Sequence, residues 1–262
     1  MVFYKHEMKM NVKSLAIWSA IVGGMILVMI LLFPGMVDQM KEITSAYSNM
    51  GIFSDAFGMD KIDMATAIGF YGVEAGAMLS IGGAMFAAII GTGILSKEEG
   101  GHTTEFIYVT PNSRRYFLTQ KLVASASLII LFDLICFCLA LLGFVIIGEA
   151  IPWEKLSLYH LAQVIMHLQI GAMCFGISAF LRKVNIGLGI GIALLLYFLS
   201  MIANITKSVE WVRYITPYYY SDAANIFDTM EIPIVHLAIG IGMAVVGIVI
   251  AYLQYSKKDL NI

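Results

Sequence analysis

The chain has 262 residues, of which 60% are hydrophobic and only 13% are charged, and its mean hydropathy is +0.84. Ordinary soluble domains are about 45–50% apolar and about 25% charged, so this composition excludes a soluble protein and indicates a membrane domain that occupies the whole chain. The formal net charge of −2 gives no reason to expect a nucleic-acid partner.

Six apolar runs predict six transmembrane helices. Each run is about 20 residues or longer, which is the length that crosses about 30 Å of hydrocarbon. The predicted spans are about 14–33, 68–95, 122–148, 158–181, 184–204 and 234–255, and a basic N-terminal segment, 1–13, precedes the first. We therefore predict an all-α integral membrane protein in which residues 1–262 form one transmembrane domain.

The basic residues are unevenly divided between the two ends of these spans. Cytoplasmic loops of membrane proteins carry the excess of Lys and Arg. Eleven of the 16 basic residues fall on one side, and the other side holds only Lys41, Lys61, Lys155, Lys207 and Arg213. We therefore expect the richer side, which includes both the N and C termini, to be cytoplasmic.

A polar segment, residues 96–120, joins the second and third spans on the predicted cytoplasmic side. It has room for a short helix between Gly101 and Pro111, with Glu105 and Phe106 available to contact another protein. An isolated helix of this length is marginal in water, so it would need a partner or the ends of its own spans for order. The alternative is a solvated loop that only joins two helices.

The order of these features resembles the membrane (permease) subunit of ABC-type exporters of the six-helix, type-2 class. The first cytoplasmic loop of that class typically has an acidic pair, Gly, Thr, Glu, a hydrophobic residue, Pro, a small polar residue and Arg. The matching residues here are Glu98, Glu99, Gly101, Thr104, Glu105, Phe106, Pro111, Ser113 and Arg114. Residues 211–222 are similar to the outer segment before the sixth span, and residues 255–260 to the aromatic-basic-Asp ending after it.

This resemblance implies a function and a set of partners. The chain would be the transmembrane subunit of an ATP-driven ABC exporter in the bacterial cytoplasmic membrane, forming the translocation path as a multi-pass permease. The loop would form a short cytoplasmic coupling helix between helices 2 and 3 that contacts a separate ABC ATPase subunit. Two ATPase copies, which bind the ATP and Mg, and a second permease subunit, either self or a paralogue, are implied. Residues 1–13 would lie along the inner membrane surface.

The chain shows no catalytic machinery of its own. It contains no Gly-Lys dipeptide, so the phosphate-binding loop G-x-x-x-x-G-K-[ST] is absent. We therefore expect no enzyme activity and no cofactor in this chain, and ATP hydrolysis by a partner.

Two acidic residues lie inside the apolar runs. Asp133 is near the middle of the third span and Glu74 near the outer end of the second. A charge at the bilayer centre costs about 2.5–3.5 kcal/mol on insertion scales, so such a side chain normally faces the protein interior or a wet cavity. Both are candidates for the translocation path. The alternative for Asp133 is protonation or a packing hydrogen bond to a neighbouring helix, and the alternative for Glu74 is that it simply reaches the outer interface. His167 in the fourth span could pair with either acid.

Two other functional classes are weighed against the exporter. An ion-coupled secondary transporter could use Asp133 and Glu74, but such transporters usually show repeats and broken helices in both halves. Here spans 1 to 3 and 4 to 6 differ in loop lengths and carry no evident repeat. An intramembrane protease is less well supported. After the acidic pair Glu98-Glu99, the Arg of the metalloprotease signature is replaced by Thr103, and Ser178 is not followed by the Gly that a serine intramembrane protease requires.

Small residues four apart indicate where helices could approach closely. Such spacing puts two small side chains on one helical face, which favours packing between membrane helices. The pairs are Gly72 and Gly76, Ala172 and Gly176, Gly187 and Gly191, and Ala238 and Gly242.

Overall fold

The computed structural model describes residues 2–47, 61–101 and 113–258 of the chain. Within these ranges the protein is helical and contains no strand, and six of its helices are long and apolar enough to cross a membrane. The prediction of an all-α protein with six transmembrane helices is therefore confirmed. The cytoplasmic position of the termini stays a prediction.

Nine α-helices make up the six spans and one connection in the described ranges. Span 1 consists of α1 (Val2–Trp18), a π-helical turn (Ser19–Gly23) and α2 (Gly24–Tyr47); span 2 consists of α3 (Ala67–Phe70), a π-helical turn (Tyr71–Ala75) and α4 (Gly76–Gly100). Spans 3, 4, 5 and 6 are α5 (Arg114–Ile147), α6 (Trp153–Ser178), α7 (Ile186–Ile205) and α9 (Ile234–Lys257). Between spans 5 and 6 lie two 3₁₀ turns, Lys207–Tyr214 and Tyr219–Ser221, and the short helix α8 (Ala223–Thr229).

Spans 1 and 3 run parallel and are longer than a bilayer is thick. Their candidate segments have 41 and 34 residues, or about 62 and about 51 Å at 1.5 Å per residue, against about 30 Å of hydrocarbon. Near its start, span 1 places Glu7 beside Lys121 of span 3, and further along it places Ile30 against Gly143. The N-terminal segment is therefore continuous with span 1 and packs along the start of span 3. Its position at the membrane surface stays a prediction.

The helix of span 1 does not end at Pro34, where the sequence predicts the end of the apolar run. Pro34 lies inside α2, which continues to Tyr47. A proline removes one backbone hydrogen bond but does not have to terminate a helix. The helix of span 1 therefore extends beyond the end of its apolar run.

Spans 2 and 4 form the centre of the bundle. The apolar stretch of span 4 is 67% buried, whereas that of span 6 is 17% buried. Glycine permits the closest crossings: a methyl group on Gly91 would lie 2.5 Å from the carbonyl oxygen of Gly171, and one on Gly176 would lie 2.6 Å from that of Gly247. The large apolar side chains left exposed on spans 3, 5 and 6 suit a lipid environment.

The connection between spans 5 and 6 folds back onto the bundle. The hydroxyl of Tyr218 donates to the carbonyl of Ala193 at 3.2 Å, and that of Tyr220 donates to Oε1 of Gln169 at 2.6 Å. Burial raises the pKa of both tyrosine hydroxyls well above their ordinary value, so both stay protonated and act as donors. This connection is thus a packed part of the bundle.

Candidate functional site

A buried ionic cluster joins the first three spans at the end of the bundle where span 2 ends and span 3 begins. We call this end the charged end. The Nζ atom of Lys121, whose side chain is 1% exposed, lies 2.6 Å from Oε1 of Glu98 and 2.9 Å from Oε1 of Glu7. It also donates to the carbonyl of Ile94 at 2.6 Å. All three ammonium hydrogens of Lys121 therefore have an acceptor on span 1 or span 2.

A second lysine completes this cluster. The Nζ atom of Lys97 lies 2.5 Å from Oε2 of Glu7, whose side chain is 2% exposed. Glu7, Lys97, Glu98 and Lys121 together form the four-charge cluster, which holds two charges of each sign. Pairing allows charges to be buried at this position, because an unpaired buried charge would be costly.

A second set of contacts at the charged end binds the C-terminal part of the chain. The Nζ atom of Lys258 lies 2.5 Å from Oε1 of Glu99 and donates to the carbonyl of Leu181, just beyond span 4, at 2.8 Å. The guanidinium of Arg114 donates to the carbonyls of Tyr255, Ser256 and Lys258 at 3.4, 3.3 and 2.9 Å. The start of span 3 therefore holds the end of span 6.

Helix-end chemistry explains why these residues occupy these places. The last carbonyls of a helix lack intrahelical partners, and cations stabilise that end of the helix dipole. Arg114 supplies the cation for span 6. At the start of span 3, the hydroxyl of Ser113 accepts the backbone N–H of Tyr116 at 3.2 Å, a standard N-cap.

The structure brings together part of the predicted ATPase-coupling set. Glu98, Glu99 and Arg114 all lie at the charged end, and Gly101 follows the last residue of span 2. The remaining predicted residues lie outside the described residues: Thr104, Glu105, Phe106 and Pro111. The coupling helix itself therefore stays a prediction.

Asp133 is paired with His167 in the centre of the bundle. The Oδ1 atom of Asp133 lies 2.8 Å from Nδ1 of His167, and the two side chains are 1% and 0% exposed. Gly83 of span 2 makes room for the ring, because a methyl group there would lie 2.2 Å from it. Of the two acids that the sequence offers as partners of His167, the structure therefore selects Asp133.

His167 belongs to a polar row on span 4. The row also contains His160 and Gln163, at the spacing that places side chains on one helical face. Nε2 of His160 lies 2.7 Å from the hydroxyl of Tyr71, and Gln163 accepts from Ser80 at 2.9 Å. These bonds tie span 4 to span 2, while Asp133 ties it to span 3.

The matching family decides what class of protein this architecture represents. A family model described as "ABC-2 family transporter protein" matches residues 1–260. The chain belongs to the ABC-2 transporter family. No match is found among curated proteins. Family membership and six apolar helices make the chain a multi-pass transmembrane subunit of an ABC transporter, a transport component that is not itself catalytic. The family also implies an ATPase partner.

Glu74 is set apart from the other candidate residues of this ABC-2 subunit. It lies in the π-helical turn Tyr71–Ala75, is half-buried, and makes no hydrogen bond or ion pair with the described residues. Gly83, which packs on His167, is nine residues further along span 2, or about 13 Å at 1.5 Å per residue. Asp133 and Glu74 therefore belong to different depths of the bundle.

The protease alternative finds no support in the described part of this ABC-2 subunit. The hydroxyl of Ser178 is buried against span 2, where it accepts the backbone N–H groups of Leu95 and Ser96 at 3.1 and 3.2 Å. Glu98 and Glu99 are bound by lysines, and no group of three or more His, Cys, Asp or Glu residues suited to a metal occurs among the described residues.

The sequence analysis did not identify four residues of the charged end as candidate site residues. They are Glu7, Lys97, Lys121 and Lys258. The lysines entered the sequence analysis only through the count of basic residues, the polar segment 96–120 and the C-terminal ending, residues 255–260. One feature of the sequence could have indicated Lys121. It directly precedes a long apolar run, so its aliphatic chain is expected to pack at the helix interface.

Proposed function

We propose that the chain is the membrane subunit of an ATP-driven exporter, and that residues 101–113 transmit the movement of a separate ATPase subunit to the spans. One observation carries the proposal. Both ends of this segment are bonded at the charged end to other spans: Glu98 and Glu99 precede it, and Arg114 and Lys121 follow it. Through these residues the segment is connected to spans 1, 2, 3, 4 and 6.

These connections suit the transmission of a force. Closure of two ATPase subunits around ATP and Mg is a rigid-body movement. To move the membrane helices, this closure has to act through a rigid element that does not bend under the load. A push on the segment acts on the ends of spans 2 and 3 at once. Because Lys121 holds Glu7, and Arg114 holds the end of span 6, the same push displaces spans 1 and 6.

The remaining parts of the proposal rest on the distribution of charge and on the resemblance to type-2 exporters. The charged end holds the larger share of Lys and Arg, which favours a cytoplasmic position for it and for both termini. The complete transporter then has two permease subunits, either two copies of this chain or a pair of paralogues, and two ATPases in the bacterial cytoplasmic membrane, and it moves its cargo outward.

The two intramembrane acids take different roles in this proposal. The buried pair of Asp133 and His167 holds spans 3 and 4 together through the bond between Oδ1 of Asp133 and Nδ1 of His167. Glu74, whose half-buried carboxylate is bound by none of the described residues, is the better candidate for contact with the cargo.

Co-purification from the native host tests the proposal. The tagged wild type should bring down an ATPase subunit, and the Glu105→Arg variant should lose that subunit or lose the coupling of ATPase activity to transport. Glu154→Arg is the matched control, because Glu154 is an exposed acid at the opposite end of the bundle. If the wild type purifies without any ATPase, the exporter proposal fails and ion-coupled transport becomes the hypothesis to examine.

A further inference from the structure

A groove lies between spans 3 and 4 and opens sideways from the bundle. We call it the lateral groove. Ile130 and Leu134 of span 3 and Leu161 of span 4 line it, and these side chains are 45%, 53% and 52% exposed. All three lie within the apolar runs of their spans, where the surroundings are lipid. The lateral groove is therefore open to the membrane.

Two buried side chains that line the lateral groove each have a polar atom without a partner. Asp133 and His160 are 1% and 5% exposed. Oδ1 of Asp133 is bonded to His167, and Nε2 of His160 is bonded to the hydroxyl of Tyr71. Oδ2 of Asp133 and Nδ1 of His160 have no hydrogen-bond partner among the described residues. An unpaired buried polar atom is costly, and lipid offers it no water, so these two atoms indicate an occupant that forms hydrogen bonds.

Ser157 adds a third polar group to the lateral groove. It lines the groove, is exposed, and makes no side-chain hydrogen bond within the part of the chain that the structure describes. Ser157 precedes His160 by three residues, which places the two on one helical face. Polar groups therefore follow the groove from near the start of span 4 to Asp133 in the middle of span 3.

The chemistry of these three groups favours a neutral hydroxyl. An ionised carboxylate only accepts hydrogen bonds, whereas Nδ1 of His160 donates or accepts according to its tautomer. A hydroxyl does both, so it can pair with Asp133, with either tautomer of His160 and with Ser157. An anion would be repelled by Asp133. An ammonium group only donates, and its charge would be buried among apolar side chains.

The size of the lateral groove limits the occupant to a slender molecule. Its volume is about 240 Å³. An enclosed cavity of about 150 Å³ holds benzene, which has six heavy atoms, so on that scale this groove holds nine or ten, as in octanol. A helix with its side chains is about 10–12 Å wide, which is too wide for the groove and disfavours a helix of a second copy.

The side chains beside the two polar groups can admit such a molecule. Leu134 and Leu161 directly follow Asp133 and His160 in the sequence, and both are half exposed. Exposed side chains change rotamer within picoseconds to nanoseconds. A hydroxyl can therefore reach Oδ2 of Asp133 and Nδ1 of His160 without movement of the helices.

We propose that the lateral groove binds an uncharged amphiphile with a hydroxyl head, which enters from the bilayer. The hydroxyl bonds to Asp133 and His160, with Ser157 beside them, and the alkyl chain lies against Ile130, Leu134 and Leu161. The site is separate from the charged end and does not depend on the exporter proposal.

Photolabelling with a matched pair of probes tests this site. One probe is octanol with a diazirine on its chain, and the other is the methyl ether of the same molecule, which cannot donate a hydrogen bond. The full-length chain is labelled in nanodiscs of phosphatidylcholine, a lipid without a hydroxyl, together with any subunit that purifies with it. Mass spectrometry then locates the adducts. We expect the alcohol to label segments 130–137 and 157–164 roughly tenfold more than the ether, the difference typical of one hydrogen bond to a charged group.

Two variants fill the lateral groove without a change of charge. Leu161→Trp should reduce labelling by the alcohol to the level of the ether. Leu142→Trp is the matched control, because Leu142 is an exposed residue of span 3 that does not line the groove, and its labelling should equal that of the wild type. If Leu161→Trp fails to fold, Leu134→Trp fills the groove from the other wall and should have the same effect.

The outcomes separate an alcohol site from its alternatives. Equal labelling by the two probes overturns the proposal, because water or an apolar chain alone would then occupy the groove. Labelling that persists in a folded Leu161→Trp or Leu134→Trp variant also overturns it. A Trp variant that dissociates a dimer while labelling stays at the wild-type level identifies an interface between copies instead. Preferential labelling by the alcohol in a chain that purifies without an ATPase supports the site and contradicts the exporter.

Discussion

Replacement of Lys121 by methionine is the sharpest perturbation of the charged end. Methionine keeps most of the length and apolar body of lysine and removes only the ammonium group. That group has three acceptors: the carboxylates of Glu7 and Glu98 and the carbonyl of Ile94. The variant therefore removes both ion pairs that join span 3 to spans 1 and 2 in the four-charge cluster.

The contacts of the cluster set the size of the effect. Removal of one partner from a buried ion pair typically costs about 3–5 kcal/mol. Glu7 keeps Lys97, at 2.5 Å, and the side chain of Glu98 is 17% exposed and can be partly solvated. Both facts lower the cost, so we expect the free energy of unfolding to fall by about 3 kcal/mol, at the lower end of that range.

Denaturant unfolding in detergent measures this loss. Lys183→Met is the control, because Lys183 is an exposed lysine near the same end, in the turn between spans 4 and 5. A Lys121→Met/Glu98→Gln double variant should recover part of the stability, since it removes the negative charge of Glu98 that Lys121 no longer offsets. A loss for Lys121→Met no greater than that for Lys183→Met would refute the buried cluster.

Two further perturbations concern contacts of span 4 with spans 3 and 6. Asp133→Leu should destabilise the protein by about 1–3 kcal/mol because it leaves His167 buried without its acceptor, whereas Asp133→Asn should cost less; equal unfolding midpoints for the two would contradict the pair. Gly176→Ala should destabilise by about 1–3 kcal/mol, because its methyl group would lie 2.6 Å from the backbone of Gly247. Gly242→Ala, with no atom within 4 Å of the added methyl group, should be neutral or stabilising on the same unfolding scale; a loss as large as that of Gly176→Ala would argue against this crossing.

The six spans could be predicted from the sequence because a bilayer imposes a long apolar run on every crossing helix. The helix ends could not, since a helix continues beyond the hydrocarbon wherever another element packs on it, as α1 and α2 do. The small-residue pairs show a similar limit. Gly72 and Gly176 lie at close contacts, whereas Gly191 and Gly242 face open space in this chain. Spacing defines a helical face but not what lies opposite.

The charged end shows why the residues that a side chain contacts were harder to predict than the position of that side chain along the chain. Arg114 was singled out from the sequence as part of a loop pattern, but the carbonyls that it binds lie more than 140 residues away. Glu7 was not singled out, because a lone acid in a basic segment has no local pattern that marks it as buried.

The four-charge cluster raises the question of why this end is ionic. Buried ion pairs are weak evidence for stability, because well-packed apolar residues of similar size often replace them at no cost. We therefore infer that the cluster is retained because its bonds are directional. Short charge-assisted bonds fix the angles between spans 1, 2 and 3, whereas apolar contacts do not. A variant with Glu7→Leu, Lys97→Met, Glu98→Leu and Lys121→Met tests this inference. It should keep its unfolding midpoint and its ATPase partner but lose the stimulation of ATPase activity by cargo. Stimulation at the wild-type level in a stably folded variant would show that the charges do not serve coupling.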